Sequence, residues 1–142
     1  MGVNNLISFP YPPSLTVRLP WPPFELSPNG RVHWAVKSKR TKVYRHDAML
    51  LARCAKGSLL PDQDYIVLGT ALPPNKNRRD RDNVQAAIKS GFDGVAQAYK
   101  VDDSRFHPFT MLGEARKGGD ILLEFYTPED MNAGSRDSVS AD

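Results

Sequence analysis

The chain has 142 residues, of which 40% are hydrophobic and 25% charged, values typical of one globular domain with a core of its own. No apolar run approaches the roughly 18 residues of a membrane-spanning helix, the N-terminus lacks the pattern of a signal peptide, and the single Cys54 excludes an internal disulfide, so we expect a cytoplasmic protein with no membrane partner. The net charge is +3, but residues 127–142 hold four acids and one arginine, which leaves +6 on residues 1–126 and predicts a polyphosphate partner.

The first predicted elements are a flexible arm over residues 1–14 and a strand. Leu15–Leu19 alternates apolar and polar residues, the period of a half-buried strand, and Pro20 ends it. Trp21–Phe24 then mixes aromatic residues with prolines. Such a segment indicates either a loop packed on the domain or a surface on which nucleic-acid bases stack.

Helical and extended patterns alternate through the middle of the chain. From Thr41 to Cys54 apolar residues recur at steps of three and four, which predicts a helix with a stop at Lys56-Gly57. Tyr65–Leu72 reads as a buried strand, and a long helix is predicted from Asp82 to Lys100.

Two further strands close the predicted domain. They span Phe106–Leu112 and Ile121–Tyr126, and the glycine-rich turn Lys117–Asp120 between them predicts a hairpin. The order β-α-β-α-β-β favours a single α+β domain over residues 15–126, with two main helices packed on one mixed sheet. Residues 127–142 are polar and acidic and predict a disordered tail.

The predicted central helix carries two faces. At about 100° per residue, one arc holds the apolar residues and predicts a core-facing stripe, formed by Val84, Ala87, Ile88, Phe92, Val95 and Tyr99. A second line to one side holds Asp82, Ala86, Lys89, Asp93 and Lys100. Lys89 and Asp93 alone could be an ordinary surface pair at four-residue spacing.

Acidic residues bracket this helix at both ends. Asp80 and Asp82 precede it, and their carboxylates would point to one side if the backbone there is extended; Asp82 could also serve as a helix cap. Asp102 and Asp103 follow the helix, where acids oppose its dipole. Several carboxylates with few histidines suit Mg²⁺ or Mn²⁺ and not zinc. No Walker-type phosphate loop occurs, so we expect no nucleotide cofactor.

Basic residues form two clusters that are candidates for contacts with a nucleic-acid backbone, although such clusters are often only solvated surface. Their members are Arg31, Lys37, Lys39, Arg40, Lys42 and Arg45 in the first cluster, and Lys76, Arg78, Arg79 and Arg81 in the second.

The motif Arg79–Asn83, read with Asp102-Asp103 and the early Leu19–Pro23, resembles the RusA family of Holliday junction resolvases found in prophages and bacteriophages. The resemblance runs from about Val17 to Tyr126. It rests on a D-x-D-N motif, a helical lysine and an acidic pair before a strand.

The resemblance implies the roles of individual residues. Asp80, Asp82 and Asp103 match the catalytic, metal-binding aspartates, with Asp102 and Asp93 as possible additional acids. The family lysine commonly stands four residues after the second aspartate, where this chain has Ala86, so the resemblance transfers its role to Lys89, one turn further along the charged line.

The activity implied is that of an Mg²⁺-dependent endodeoxyribonuclease, in which Mn²⁺ can substitute. A homodimer would resolve four-way junction DNA by paired symmetric nicks with 5′-phosphate products, in DNA recombination and repair of a bacterial or phage-infected cell. The alternatives are a flap- or fork-selective nuclease of phage replication and a junction-binding protein without catalysis.

Overall fold

The structure is a computed structural model that describes residues 11–130. Most of the predicted arm and tail, residues 1–10 and 131–142, lies outside the described residues, and of the tail residues that are described, 128–130 are helical. The strands are β1 (Leu15–Leu19), β2 (Lys56–Gly57), β3 (Tyr65–Leu72), β4 (Phe106–Leu112) and β5 (Asp120–Tyr126). The helices are α1 (Trp34–Arg53), α2 (Arg81–Ala87) and α3 (Lys89–Tyr99), and short 3₁₀ turns span Phe24–Leu26 and Asp103–Arg105.

One mixed sheet organises the chain. Its strand order is β2-β1-β5-β3-β4, with antiparallel pairing throughout except for the parallel pair of β3 with β4. The helices pack on this sheet around one hydrophobic core, to which all three helices and four of the five strands contribute. The predicted α+β class with a single mixed sheet is therefore confirmed.

The predicted hairpin between the last two strands is wrong. β4 and β5 are not neighbours, because β3 lies between them and pairs with both. The glycines of the connection do make a turn, in which Gly118 and Gly119 have positive φ angles of 82° and 72°. That turn leads β5 into the gap between β1 and β3. One face of the strand, with Ile121, Leu123 and Phe125, is fully buried, whereas Leu122 and Glu124 on the other face are half-buried.

Helix α1 is longer than its apolar periodicity predicted. It begins at Trp34 and not at Thr41, since the His33 side chain accepts a hydrogen bond from the Ala35 backbone N–H at 3.1 Å and caps the N-terminus. The first two turns are mostly exposed, which is why no apolar period marks them. None of the described helices is both long enough and apolar enough to cross a membrane.

The central helix is divided into two, which corrects the single helix predicted from Asp82 to Lys100. Ile88 separates α2 from α3 with φ −96° and ψ 6°, and Lys100 ends α3 in a left-handed conformation with φ 57°. The predicted core-facing stripe is confirmed, because five of its six residues are buried and Tyr99 packs partly buried against the same core.

Helices α1 and α3 pack closely against each other. A Cβ atom at Gly94 would lie 2.2 Å from the Arg45 backbone oxygen and 2.9 Å from the Ala48 Cβ. Only glycine therefore permits this crossing. The contact fixes α3, and with it Lys89 and Asp93, relative to α1.

Candidate active site

Four of the five residues of the predicted charged line border one surface hollow of about 500 Å³, and the fifth, Lys100, does not. We call it the acidic hollow. Polar side chains from α2, α3 and the turn before β4 line it, and apolar residues form the rest of its wall. The lining residues are Asp82, Gln85, Ala86, Lys89, Phe92, Asp93, Asp103, Ser104, Phe106 and Pro108. The structure thus brings four of the predicted site residues, Asp82, Lys89, Asp93 and Asp103, to one place.

Lys89 joins the acids of this hollow. Its Nζ donates to Asp93 Oδ1 at 3.2 Å, one helical turn away, and to Asp103 Oδ2 at 3.3 Å, from the 3₁₀ turn before β4. Because the helix breaks at Ile88, Lys89 is the first residue of α3. It lies beside Asp103, the first residue of the 3₁₀ turn before β4. A Lys89–Asp93 pair alone would fit an ordinary surface pair at four-residue spacing. The second bond, to Asp103, connects Lys89 to the acids that follow the central helices.

The pKa values of Lys89 and Asp93 are both shifted at this site. Burial raises the pKa of Asp93, and the hydrogen bond and negative charge of Asp103 raise it further, against the opposing effect of Lys89. Partial burial acts to lower the pKa of Lys89, but its bonds and attraction to Asp93 and Asp103 outweigh burial and raise it. Lys89 therefore remains a cation, and both Asp93 and Asp103 accept hydrogen bonds from it.

Asp80 is placed apart from the acidic hollow. Its backbone is extended, and its Oδ1 accepts a hydrogen bond from the Asp82 backbone N–H at 2.8 Å, so Asp80 is the N-cap of α2. Asp82 already lies in the first helical turn, so the extended-backbone condition for two parallel carboxylates is not met. As a result Asp82 borders the acidic hollow and Asp80 borders a different one.

Asp102 has a local structural role. Its Oδ1 accepts a hydrogen bond from the Ser104 backbone N–H at 2.9 Å and caps the 3₁₀ turn. The hydrogen bonds from Ser104 hold the pKa of Asp102 below its ordinary value. Asp102 also lines a shallow neighbouring hollow with Asp93, Asp103 and Arg45, which brings one member of the first basic cluster from α1 to the acids.

A second hollow, of about 360 Å³, lies on the other side of the first turn of α2. We call it the aromatic hollow. Residues from the proline-rich loop after β1, the loop before α2 and the buried side of α2 line it: Trp21, Pro22, Pro23, Phe24, Ser27, Asn29, Arg78, Arg79, Asp80, Asn83, Val84 and Ala87. Arg79 lies 5.3 Å over the Trp21 ring, and its Nη1 donates to the Asn75 and Asn77 backbone oxygens, each at 3.0 Å.

The remaining predicted DNA contacts are spread over the surface. Arg31, Lys37, Lys39, Arg40 and Lys42 are exposed on α1 and the loop before it, and Lys76, Arg78 and Arg81 are exposed around the start of α2. Arg40 forms an ion pair with Glu25 at 3.7 Å. Arg79 is only half-exposed and holds the loop before α2, so its contacts give it a structural role.

Gln85 is a site residue that sequence reasoning missed. It lines the acidic hollow, and its Oε1 accepts a hydrogen bond of 2.7 Å from the hydroxyl of the buried Thr110 on β4. This bond fixes α2 against the sheet. The spacing of three residues from Asp82 places Gln85 on the same side of the helix, a signal that was present in the sequence.

The residue types of the site suit Mg²⁺, but their positions do not. Three carboxylates, of Asp82, Asp93 and Asp103, face one hollow and offer the oxygen ligands that Mg²⁺ prefers. Yet within residues 11–130 no group of three or more His, Cys, Asp or Glu side chains is placed so that it could hold a metal ion. The donor chemistry fits a hard cation, whereas the placed side chains, two of them bonded to Lys89, do not surround one.

The fold and site define a single-domain α+β protein with an acid–lysine cluster at the break of its central helices. No model of a protein family matches the chain. Over 128 residues it is 38% identical to a protein of Xylella fastidiosa (strain Temecula1 / ATCC 700964) that bears the name "Uncharacterized protein", with 85% of this chain and 83% of the relative covered. The chain belongs to the same family as this relative, whose name assigns no activity.

Proposed function

We propose that this protein is a RusA-like resolvase, an Mg²⁺-dependent endodeoxyribonuclease that nicks four-way junction DNA symmetrically. The observation that carries the proposal is that Asp82, Lys89, Asp93 and Asp103 line one hollow, in which Lys89 bonds to Asp93 and Asp103. The segment that supplies them, residues 80–103, is the one that carries the sequence resemblance.

The proposal assigns a role to each group of the site. Asp82 and Asp103 are proposed Mg²⁺ ligands in the acidic hollow, where Asp93 offers a further carboxylate. The family resemblance adds Asp80 as a third proposed ligand, although its side chain caps α2 and borders the neighbouring hollow. Bound Mg²⁺ would supply the activation of a water molecule and offset the charge of the scissile phosphate. Lys89, kept protonated by its neighbours, would stabilise the negative charge that grows on the phosphate in the transition state.

Exposed basic residues support the assignment of DNA as the substrate. Cationic side chains of α1 and of the loop before α2 lie on the described surface, and Arg45 lines a shallow hollow together with Asp93, Asp102 and Asp103. Contacts of this type neutralise phosphates and release counterions, so binding to DNA should weaken steeply as salt increases.

The proposal includes a homodimer, because two sites related by a two-fold axis match the symmetry of a four-way junction. Helix α1 offers a surface for a second copy. Val36, Val43 and Leu50 repeat at seven-residue spacing and are each more than 40% exposed, which places an apolar stripe on one face of the helix. Arg40 and Asp47 flank Val43 with opposite charges, so two antiparallel copies crossing at Val43 would pair them reciprocally.

The test is cleavage of a synthetic four-way junction by wild type and by Asp82→Asn. The wild-type protein should make paired nicks only with Mg²⁺ or Mn²⁺. Asp82→Asn should lose cleavage and keep junction binding, because its side chain is exposed and does not form the helix cap. Glu114→Gln, at an exposed acid outside the acidic hollow, is the matched control and should cleave normally. Cleavage by Asp82→Asn at the wild-type rate would contradict the proposed site.

Two rival functions are separated in the same experiment. The first rival is a junction-binding protein without catalysis. One observation supports it: among the described residues, the acids are not placed so that they could hold a metal ion. It would bind the junction and nick nothing at any Mg²⁺ or Mn²⁺ concentration. A flap- or fork-selective nuclease would keep the dependence on Asp82 and cleave those substrates in preference to the junction.

A further inference from the structure

We propose that the aromatic hollow binds one unstacked nucleobase of the branched DNA, next to the site of cleavage. This inference rests on the proposed function for its substrate and adds to it a second, separate contact. The aromatic hollow is distinct from the acidic hollow, and its lining has a different chemistry, with two aromatic rings, prolines, amides and arginines.

Phe24 is the side chain that offers a stacking surface. The residue is 68% exposed, at the start of the 3₁₀ turn that borders the hollow. Exposure of so large an apolar ring is unfavourable in water. A nucleobase presents a flat face that stacks on such rings irrespective of its identity.

Trp21 forms a fixed wall of the same hollow. It packs partly buried against the core, the backbone of Gly119 approaches so closely that a Cβ there would lie 2.8 Å from the Trp21 Cβ, and the Arg79 guanidinium lies over the ring. Arg79 in turn is held by two backbone oxygens of its own loop. The wall is therefore in place before any ligand arrives, which reduces the entropy lost on binding.

The polar side chains that line the aromatic hollow can bind both the base and the phosphate of a nucleotide. Asn29 and Asn83 carry amides, each with a donor and an acceptor, which is the pairing that base edges present. Arg78 is exposed on the rim, where it can contact a phosphate. A volume of about 360 Å³ falls within the roughly 300–1,000 Å³ of small-molecule sites.

The position of the hollow connects it to the proposed cut. Asp80 borders the aromatic hollow and Asp82 borders the acidic hollow, and a hydrogen bond of 2.8 Å joins the Asp80 side chain to the Asp82 backbone. The two hollows thus share the first turn of α2. If a phosphate of a DNA strand lies at the acids, a neighbouring base of that strand would lie near Phe24. At a branch point such a base can leave its stack.

Binding without Mg²⁺ tests the inference independently of cleavage. Junctions are prepared with a single abasic position, moved one nucleotide at a time along the strand next to the branch. For the wild-type protein, one position should weaken binding by roughly 5- to 150-fold, the range expected for loss of one stacked base. Phe24→Ala should show the same loss on the intact junction and no further loss at that abasic position. Phe109→Ala removes a ring that is 61% exposed on β4, outside the aromatic hollow, and should behave as wild type.

Equal binding by Phe24→Ala and wild type, or an abasic effect that persists undiminished in Phe24→Ala, would overturn the inference. Competition with AMP and CMP distinguishes a base within DNA from a free nucleotide. Displacement of the junction by either monophosphate, with no effect of any abasic position, would also overturn it. A wild-type protein that shows the expected abasic effect and yet nicks no branched DNA would contradict the proposed function and leave the base site standing.

Discussion

Lys89 Nζ lies 3.3 Å from Asp103 Oδ2, so a residue in the first turn of α3 is bonded to the turn before β4 across 14 positions of the chain. The same Nζ bonds Asp93 at 3.2 Å. Lys89 is thereby held by two carboxylates from different elements. An ordinary surface pair on one helix would use only the first of these bonds.

Replacement of Lys89 by alanine should reduce the rate of junction cleavage by roughly 10²- to 10³-fold, the effect of removing one charge-stabilising donor from an active site. Junction binding should change little. Lys100→Ala removes an exposed lysine from the far end of α3, outside the acidic hollow, and should cleave within a factor of about two of wild type. Equally small losses in both variants would reduce Lys89 to a solvated surface residue.

Asp80 has two possible roles, which two substitutions separate. Asp80→Asn keeps a side-chain oxygen that can cap α2, so the free energy of unfolding should stay within about 0.5 kcal/mol of wild type. Asp80→Ala removes the cap and should lower it by about 1 kcal/mol, measured by urea denaturation. Loss of Mg²⁺-dependent cleavage in Asp80→Asn would support a metal ligand, whereas full cleavage in that variant would leave Asp80 as a cap alone.

The raised pKa of Asp93 makes its ionised form a cost to the folded state. Its folded pKa lies above its unfolded value because of burial and Asp103, so the cost is absent below the unfolded pKa and appears as the pH rises through the folded pKa. Asp93→Asn should therefore be more stable than wild type at pH 7, by a few tenths of a kcal/mol given the partial exposure of the site. The difference should shrink in urea denaturation at pH 3.5. A variant less stable than wild type at pH 7 would show that the bond to Lys89 dominates.

Lys100 ends α3 in a conformation that favours glycine. Its φ of 57° is the one positive φ of a residue other than glycine in residues 11–130, and the Val101 N–H closes the helix end by a bond of 2.9 Å to the Ala96 oxygen. Lys100→Gly should raise the free energy of unfolding by about 1 kcal/mol, since glycine adopts this conformation without steric cost. Lys100→Ala, which relieves nothing, is the control, and a loss of stability in Lys100→Gly would contradict the assignment of strain.

Four of the five strands were predicted, because each has an apolar pattern of its own. The two-residue strand β2 was missed, since Lys56-Gly57 was predicted only as a helix stop and pairs with β1 through tertiary structure. β1, β3 and β4 have the predicted bounds, and β5 begins one residue earlier. The neighbours of a strand depend on the whole sheet, so a glycine-rich turn could not reveal that β5 lies between β1 and β3. The break at Ile88 was equally hidden, because the apolar period continues through a buried Ile88 while the backbone leaves the helix.

The site, like the sheet, was predicted where local patterns determine it and not where tertiary contacts do. Helical periodicity placed Asp82, Lys89 and Asp93 on one side, and they line one hollow. The return of Asp103 to Lys89 was expected only from the family resemblance, since no local pattern determines a contact across the end of a helix. Asp80 was assigned from the motif, and the helix that begins at Arg81 engages its side chain as a cap.

The strand that completes the sheet is the last one the structure describes in chain order. β1 and β3 each bond to β5 along its length and not to each other, so a growing chain has two separate strand pairs, β1 with β2 and β3 with β4, until residues 120–126 are synthesised. The acids and Lys89 have all been synthesised by residue 103, before the sheet that supports them can close. Vectorial synthesis therefore delays the assembly of the acidic hollow until the strands of the described domain have all been synthesised.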